Sequence, residues 1–176
     1  MYNKELEQML HSDDFSERVT AAECAYGLDI LVNDESPYVR EEVARQGYGL
    51  DVLIHDTNPR VRAMVAYHGY GLDILLHDEV WIVREMVAKN GYGLDILVHD
   101  DDFVIRQSVA EQGYGLDILV HDTNPLVRLA VAEQGYGLDV LVNDENWMVC
   151  EEVERQLANL TPSPPPQPKK TSLLTL

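Results

Sequence analysis

Basic residues are scarce in this sequence. Its 176 residues hold 13 Lys and Arg against 31 Asp and Glu, a formal net charge of −18. That deficit argues against nucleic acid or an anionic membrane surface as a direct ligand, since each needs a basic face. Cysteine is nearly absent as well. Two residues, Cys24 and Cys150, are too few for a disulfide framework and suit a reducing, cytoplasmic setting. No apolar run reaches the ~18 residues of a membrane span. The opening MYNKELEQML lacks a basic segment leading into an apolar one, so no secretory signal is expected. There is no Ser/His/Asp set, reactive-cysteine environment, phosphate-binding loop or zinc-type cysteine pair. The expectation is therefore a protein without enzymatic activity or cofactor. Apolar residues still make up 45% of the chain, enough to exclude a disordered acidic tail.

What is present is an internal repeat. Gly-Leu-Asp recurs at Gly27, Gly49, Gly71, Gly93, Gly115 and Gly137, always 22 residues apart. The unit reads Y-G-L-D-[IV]-L-x-[HN]-D-x-x-x-x-[VI]-R-x-x-V-A-x-x-G. Its six copies start at Tyr26, Tyr48, Tyr70, Tyr92, Tyr114 and Tyr136. A degenerate copy precedes them, and the last one decays, with Cys150 in place of Arg and Leu157 in place of Gly. Atypical ends are what a stacked array requires, because its outer units have no neighbour to cover them. The organisation is read as a capping repeat at 1–25, six tandem repeats at 26–157 and a Pro-rich flexible tail at 158–176.

Two short helices fit in each unit. Asn58-Pro59 is a helix start, with Asn as cap and Pro at the first helical position, and Ser36-Pro37 and Asn124-Pro125 repeat it. Asp102 and Asn146 keep the cap without proline, whereas Val80 lacks it. Val61 and Val65 then fall on one face beside Ala66, and Gly69 ends the helix. The segment Leu50 to Asp56 places Leu50, Leu53 and Ile54 at helical spacing, short enough to be part 3₁₀. Neither helix is long enough to stand alone, so stacking must supply the core. The alternation of a β-helix is missing. The fold class is all-α, a solenoid of seven 22-residue two-helix repeats.

The run V-R-x-x-V-A, a turn, a short Leu-rich segment and D-x-x-P-x-V-R resembles the leucine-rich repeat variant family of HEAT-like solenoids. The resemblance covers residues 4–157. It implies alternating α and short 3₁₀ helices wound into a right-handed superhelix, and a binding scaffold rather than an enzyme. The period here is slightly shorter, and Gly-Tyr-Gly stands where the family often has Pro-containing turns.

Two rows of polar residues follow from the repeat. Arg40, Arg62, Arg84, Arg106 and Arg128 are expected to form a structural ladder with recurring aspartates, among them Asp51, Asp73, Asp95 and Asp117, because the planar guanidinium matches a carboxylate. Each of those aspartates precedes a His by four residues: His55, His77, His99 and His121. On a helix that spacing puts both on one face and opens a metal-dependent activity as an alternative. Against it, packed helices lie about 8–10 Å apart, too far for neighbouring copies to share an ion. Asn33 and Asn143 also replace His in two copies. The Tyr row between the glycines is expected to pack ring on ring.

Function in a solenoid is expected where the copies differ. The outward positions of the longer helix hold Tyr38, Arg60, Ile82, Val104, Leu126 and Met148, and one turn later Met64 and Met86. Trp81, Phe103 and Trp147 replace proline at its start. These are the candidate partner-binding residues, since Met and aromatic side chains favour interfaces. The expected activity is protein binding, with basic partners favoured by the acidic surface and oligomeric state left open. The alternative is an acidic mimic of DNA that occupies a DNA-binding enzyme, in a phage or defence setting. At about 10 Å per copy the array carries about −3 per copy, against about −6 for duplex DNA over the same length. In the tail, Pro165 to Lys170 fits P-x-x-P-x-K, a pattern seen in ligands of SH3-type domains.

Overall fold

The computed structural model describes residues 2–160, so the Pro-rich tail from residue 161 onward, with its P-x-x-P-x-K match, lies outside the described residues. Those residues are helical, with no strand among them. Seven longer helices form one layer: α2 (Phe15–Glu23), α4 (Pro37–Arg45), α6 (Pro59–Tyr67), α8 (Trp81–Lys89), α10 (Phe103–Glu111), α12 (Pro125–Glu133) and α14 (Trp147–Leu160). Between them run four-residue helices: α3 (Leu28–Leu31), α5 (Leu50–Leu53), α7 (Leu72–Leu75), α9 (Leu94–Leu97), α11 (Leu116–Leu119) and α13 (Leu138–Leu141). The opening helix α1 (Tyr2–Leu10) occupies the short-helix place of the first unit. Each longer helix packs on the next one along the row, and each short helix packs on the longer helices before and after it. This is a repeat helical solenoid.

The elements end where their chemistry says they should. Asn58 accepts the Arg60 N–H at 2.9 Å and caps α6, and Asp14, Asp102 and Asn124 do the same for α2, α10 and α12. Ser36 and Val80 make no side-chain cap bond. Helix α4 closes with Gly47 at φ +74°, its N–H on the Ala44 carbonyl at 2.8 Å and the Tyr48 N–H on the Val43 carbonyl at 3.2 Å. That pair of bonds is a Schellman closure, which requires a left-handed residue. The short helices prove tighter than the seven residues expected. In α5, the Gly49 carbonyl accepts both Val52 N–H and Leu53 N–H, so one turn is α with a 3₁₀-type first bond.

Burial follows the helical period. Val61, Val65 and Ala66 are fully buried, as are Val83, Val87 and Ala88 one unit on. Leu53, Leu75, Leu97 and Leu119 are each 1% exposed and fill the seam between layers. The short-helix layer stacks through a glycine contact. A Cβ on Gly49 would lie 2.5 Å from Val32 Cγ2, and one on Gly93 would lie 2.6 Å from Leu76 Cδ1. Glycine is therefore fixed here by space as well as by its φ of +62° at both positions. At the ends, Leu10 fills the same place under Gly27, while α14 runs on to Leu160, three residues into the segment expected as tail.

Candidate partner-binding surface

The arginine ladder positions everything around it. Arg40, Arg62, Arg84, Arg106 and Arg128 each grip one carboxylate with two parallel hydrogen bonds, and Arg18 in the degenerate first copy does the same. The expected partners are wrong. Asp51, Asp73, Asp95 and Asp117 are exposed and make no side-chain hydrogen bond or ion pair with a described residue. The carboxylates gripped are Asp34, Asp56, Asp78, Asp100, Asp122 and Asp144, the second aspartate of each copy, sixteen residues beyond the arginine. The first aspartate sits inside the outer short helix. The second lies in the turn that faces the preceding longer helix, within reach of its arginine.

Each pair ties three segments. Arg62 Nε reaches Asp78 Oδ2 at 2.6 Å and Nη2 reaches Oδ1 at 2.9 Å, while Nη1 donates to the Asp56 carbonyl at 2.7 Å. Asp78 Oδ1 also accepts the Val80 N–H at 2.9 Å, which sets up the start of α8. The Asp78 carbonyl in turn accepts Arg84 Nη1 at 2.7 Å. The hydrogen bonds therefore run on from copy to copy without a break. Ser12 stands where the later copies have the gripped aspartate, and its carbonyl accepts Arg18 Nη1 at 2.8 Å. Cys150 stands where an arginine would have no following aspartate, and its thiol donates to the Asp144 carbonyl at 3.0 Å.

These pairs are largely dry, with Arg62 and Asp78 side chains 12% and 7% exposed. Burial pushes the Asp78 carboxyl up, but the Arg62 bonds, the Val80 N–H and the charges of Arg62 and Arg84 outweigh it, so the group sits below its ordinary value. The same balance holds Asp56, Asp100 and Asp122 down. For Asp144 the Arg128 hydrogen bond comes first and burial opposes it. No buried side-chain nitrogen or oxygen among the described residues lacks a partner.

The Asp–His pairs do not form. The short helix stops at Leu53 with Ile54 as its cap, so His55 already lies in the turn, and no such pair comes within ion-pair distance. No cluster of three or more His, Cys, Asp or Glu among the described residues is arranged to hold a metal ion. The tyrosines do not stack on one another either. Tyr48, Tyr70, Tyr92, Tyr114 and Tyr136 are each 42–43% exposed, and the ring contacts among the described residues are Phe15 with Tyr38 and Tyr67 with His68.

The candidate binding residues divide. Arg60, Met64, Ile82 and Met86 converge, with Ala63 and Glu41, around a shallow apolar depression of about 190 Å³ between α6 and α8. Arg60 is exposed there and makes no ion pair with a described residue. Trp81 and Trp147 are 44% and 70% exposed at the starts of α8 and α14, and Tyr38 stacks on Phe15 with ring centres 5.6 Å apart. Phe103, Val104, Leu126 and Met148 are half-buried. Residues one turn later in the other copies pack inward: Glu42, Ser108, Ala130 and Glu152 are buried. Tyr67, 60% exposed on the α6 face, was missed because it falls at the helix end rather than at a varying outward position.

Grooves also open between successive turns on the short-helix side. One, about 520 Å³, is lined by His77, Glu79, Arg84, Ile96, His99 and Asp101. Others of about 480 and 420 Å³ repeat it at His99 to Thr123 and at Val32 to Thr57. No described helix is long and apolar enough to cross a membrane. No protein-family model matches this sequence, and no curated protein matches it.

Proposed function

We propose that the chain is a non-enzymatic protein-binding scaffold, a repeat array of the leucine-rich repeat variant kind, that works in the cytoplasm and favours basic protein partners. The observation that carries this reading is the meeting of Arg60, Met64, Ile82 and Met86 at one open apolar depression. Polarizable methionines on an exposed helix pair suit a packed contact that adapts to its partner. Charge supports the choice of partner. Each ladder pair is neutral, so the whole net charge of −18 resides outside the ladder. Such a surface speeds encounter with cationic proteins and loses that advantage as salt rises.

The test is capture of partners from a lysate on the full chain, washed at low and then high salt, with a Met64→Ser/Met86→Ser variant alongside. A partner that survives high salt on the parent chain and is lost from the variant supports the depression as the binding site. Equal capture by both overturns it. DNA mimicry remains the second reading, favoured by the same surface charge. Its mark is a set of nucleic-acid enzymes released by added duplex DNA.

A further inference from the structure

The short-helix side carries residues that repeat faithfully yet hold nothing together. Ile30, Val52, Ile74, Ile96, Ile118 and Val140 are 46–53% exposed, although the leucine that follows each is 1–2% exposed. Beside them stand the unpaired carboxylates Asp51, Asp73, Asp95 and Asp117, and the half-exposed tyrosines. Core positions repeat because the stacking geometry repeats. That reason does not reach a side chain pointing into solvent. Between the turns lie the grooves, each with one of these aliphatic residues on its wall: Ile96, Ile118 and Val52. The floor is a neutralised Arg–Asp pair. The exposed carboxylates of Glu79 and Asp101 stand at the rim of the groove of about 520 Å³ and that of Asp101 at the rim of the one of about 480 Å³, whereas Asn33 and Thr57 line the one of about 420 Å³.

An aliphatic wall under a carboxylate rim suits a lysine or arginine, whose apolar stem lies along one and whose charged head meets the other. The grooves recur at the spacing of packed helices, about 8–10 Å. A polyproline-type segment rises about 3.1 Å per residue and returns to the same face every third residue, so three residues cover one repeat with every third side chain toward the protein. A β-extended strand alternates faces and does not. We propose that the short-helix face binds a polyproline-type cationic segment with Lys or Arg at every third position, a cation entering each carboxylate-rimmed groove between repeats. This deepens the scaffold reading and rests on it for the basic character of the partner. It assigns that partner a different face from the methionine depression.

The test uses the full chain and synthetic peptides of equal length, each with the same number of lysines spaced two, three or four positions apart and neutral residues elsewhere. Fluorescence anisotropy at low salt reads the affinity. Register-matched binding through several grooves predicts that the every-third peptide binds at least about tenfold more tightly than the others. The preference is lost in an Ile74→Ser/Ile96→Ser variant and in a Glu79→Gln/Asp95→Asn/Asp101→Asn variant, both altered at exposed positions and checked for unchanged thermal unfolding. The Met64→Ser/Met86→Ser variant keeps it. Equal affinity for all three peptides overturns the proposal, as does a preference that survives both groove variants. Salt-sensitive capture of basic proteins by a chain that binds the peptides alike leaves the scaffold reading standing and the register proposal refuted. Register-selective peptide binding together with equal lysate capture by the parent and the Met64→Ser/Met86→Ser chain overturns the methionine depression and leaves the register proposal standing.

Discussion

Arg62 holds Asp78 across sixteen residues of chain with two parallel hydrogen bonds of 2.6 and 2.9 Å, and spends its remaining nitrogen on the Asp56 carbonyl at 2.7 Å. One guanidinium thus fixes the turn before its own helix to the turn of the next repeat. Replacing Arg62 by Ala strands the Asp78 carboxylate in a nearly dry site, and loss of one partner of such a pair costs about 3–5 kcal/mol. Arg62→Lys keeps the charge but not the fork, so it falls between the parent and Arg62→Ala in urea unfolding. Cys150→Arg, which adds an arginine with no following aspartate, brings no comparable gain.

Acid should loosen the array through the same pairs. Asp56, Asp78, Asp100, Asp122 and Asp144 are all held below their ordinary value in the folded chain. A carboxyl depressed on folding contributes stability that is fully present above its unfolded pKa, about 3.9 for Asp, and lost as pH falls through the lower folded value. The melting temperature should therefore change little through this source from neutral pH down to about 5, then drop steeply from about pH 4 downward. Asp78→Asn should flatten that acid limb while lowering stability at neutral pH.

Glycine substitutions separate two causes of strain. Gly91 has φ +72° and open space where a Cβ would lie, so Gly91→Ala registers the left-handed backbone alone, about 1 kcal/mol. Gly93→Ala meets Leu76 at 2.6 Å as well and should cost about 1–3 kcal/mol more. The first copy supplies the reverse experiment. Ala25, at φ +53°, occupies the place that Gly47 takes one unit later. Ala25→Gly should stabilise by about 1 kcal/mol, read as a rise in the urea midpoint.

The array should tolerate loss of a whole unit but not part of one. Removing residues 70–91 joins Gly69 to Tyr92 and leaves Arg62 sixteen residues before the former Asp100. Circular dichroism should show a folded, cooperative helical protein with a lower melting temperature, as nearest-neighbour stacking predicts. Removing 70–80 alone breaks the register and should abolish cooperative melting.

The repeat made much of this legible. Val61, Val65 and Ala66 announced a buried face by spacing alone, and Asn58-Pro59 announced the start of α6. What the repeat could not supply was the partner of each arginine. Asp51 and Asp56 recur with the same period, so the sequence offers both in every copy. The choice is made by where the short helix ends, at Leu53, which turns one carboxylate out and the other in. The same brevity hid the exposed row. Val52 and Leu53 are adjacent apolar residues, and a single helical turn is too short to show which one faces water. Meanwhile the meeting of Met64 with Met86 was readable as a pair of outward positions, though the depression they form with Arg60 needed the packed helices.

The unbroken series from the Ser12 carbonyl to the Asp144 carboxylate has a mechanical consequence. Force applied along the row of helices loads the Arg–Asp pairs one after another, and the pairs are nearly identical in geometry. Each repeat that lets go frees 22 residues, about 75 Å of extended chain at roughly 3.4 Å per residue. Under tension the molecule should lengthen in equal steps at similar force, a spring whose stretch is metered by the repeat.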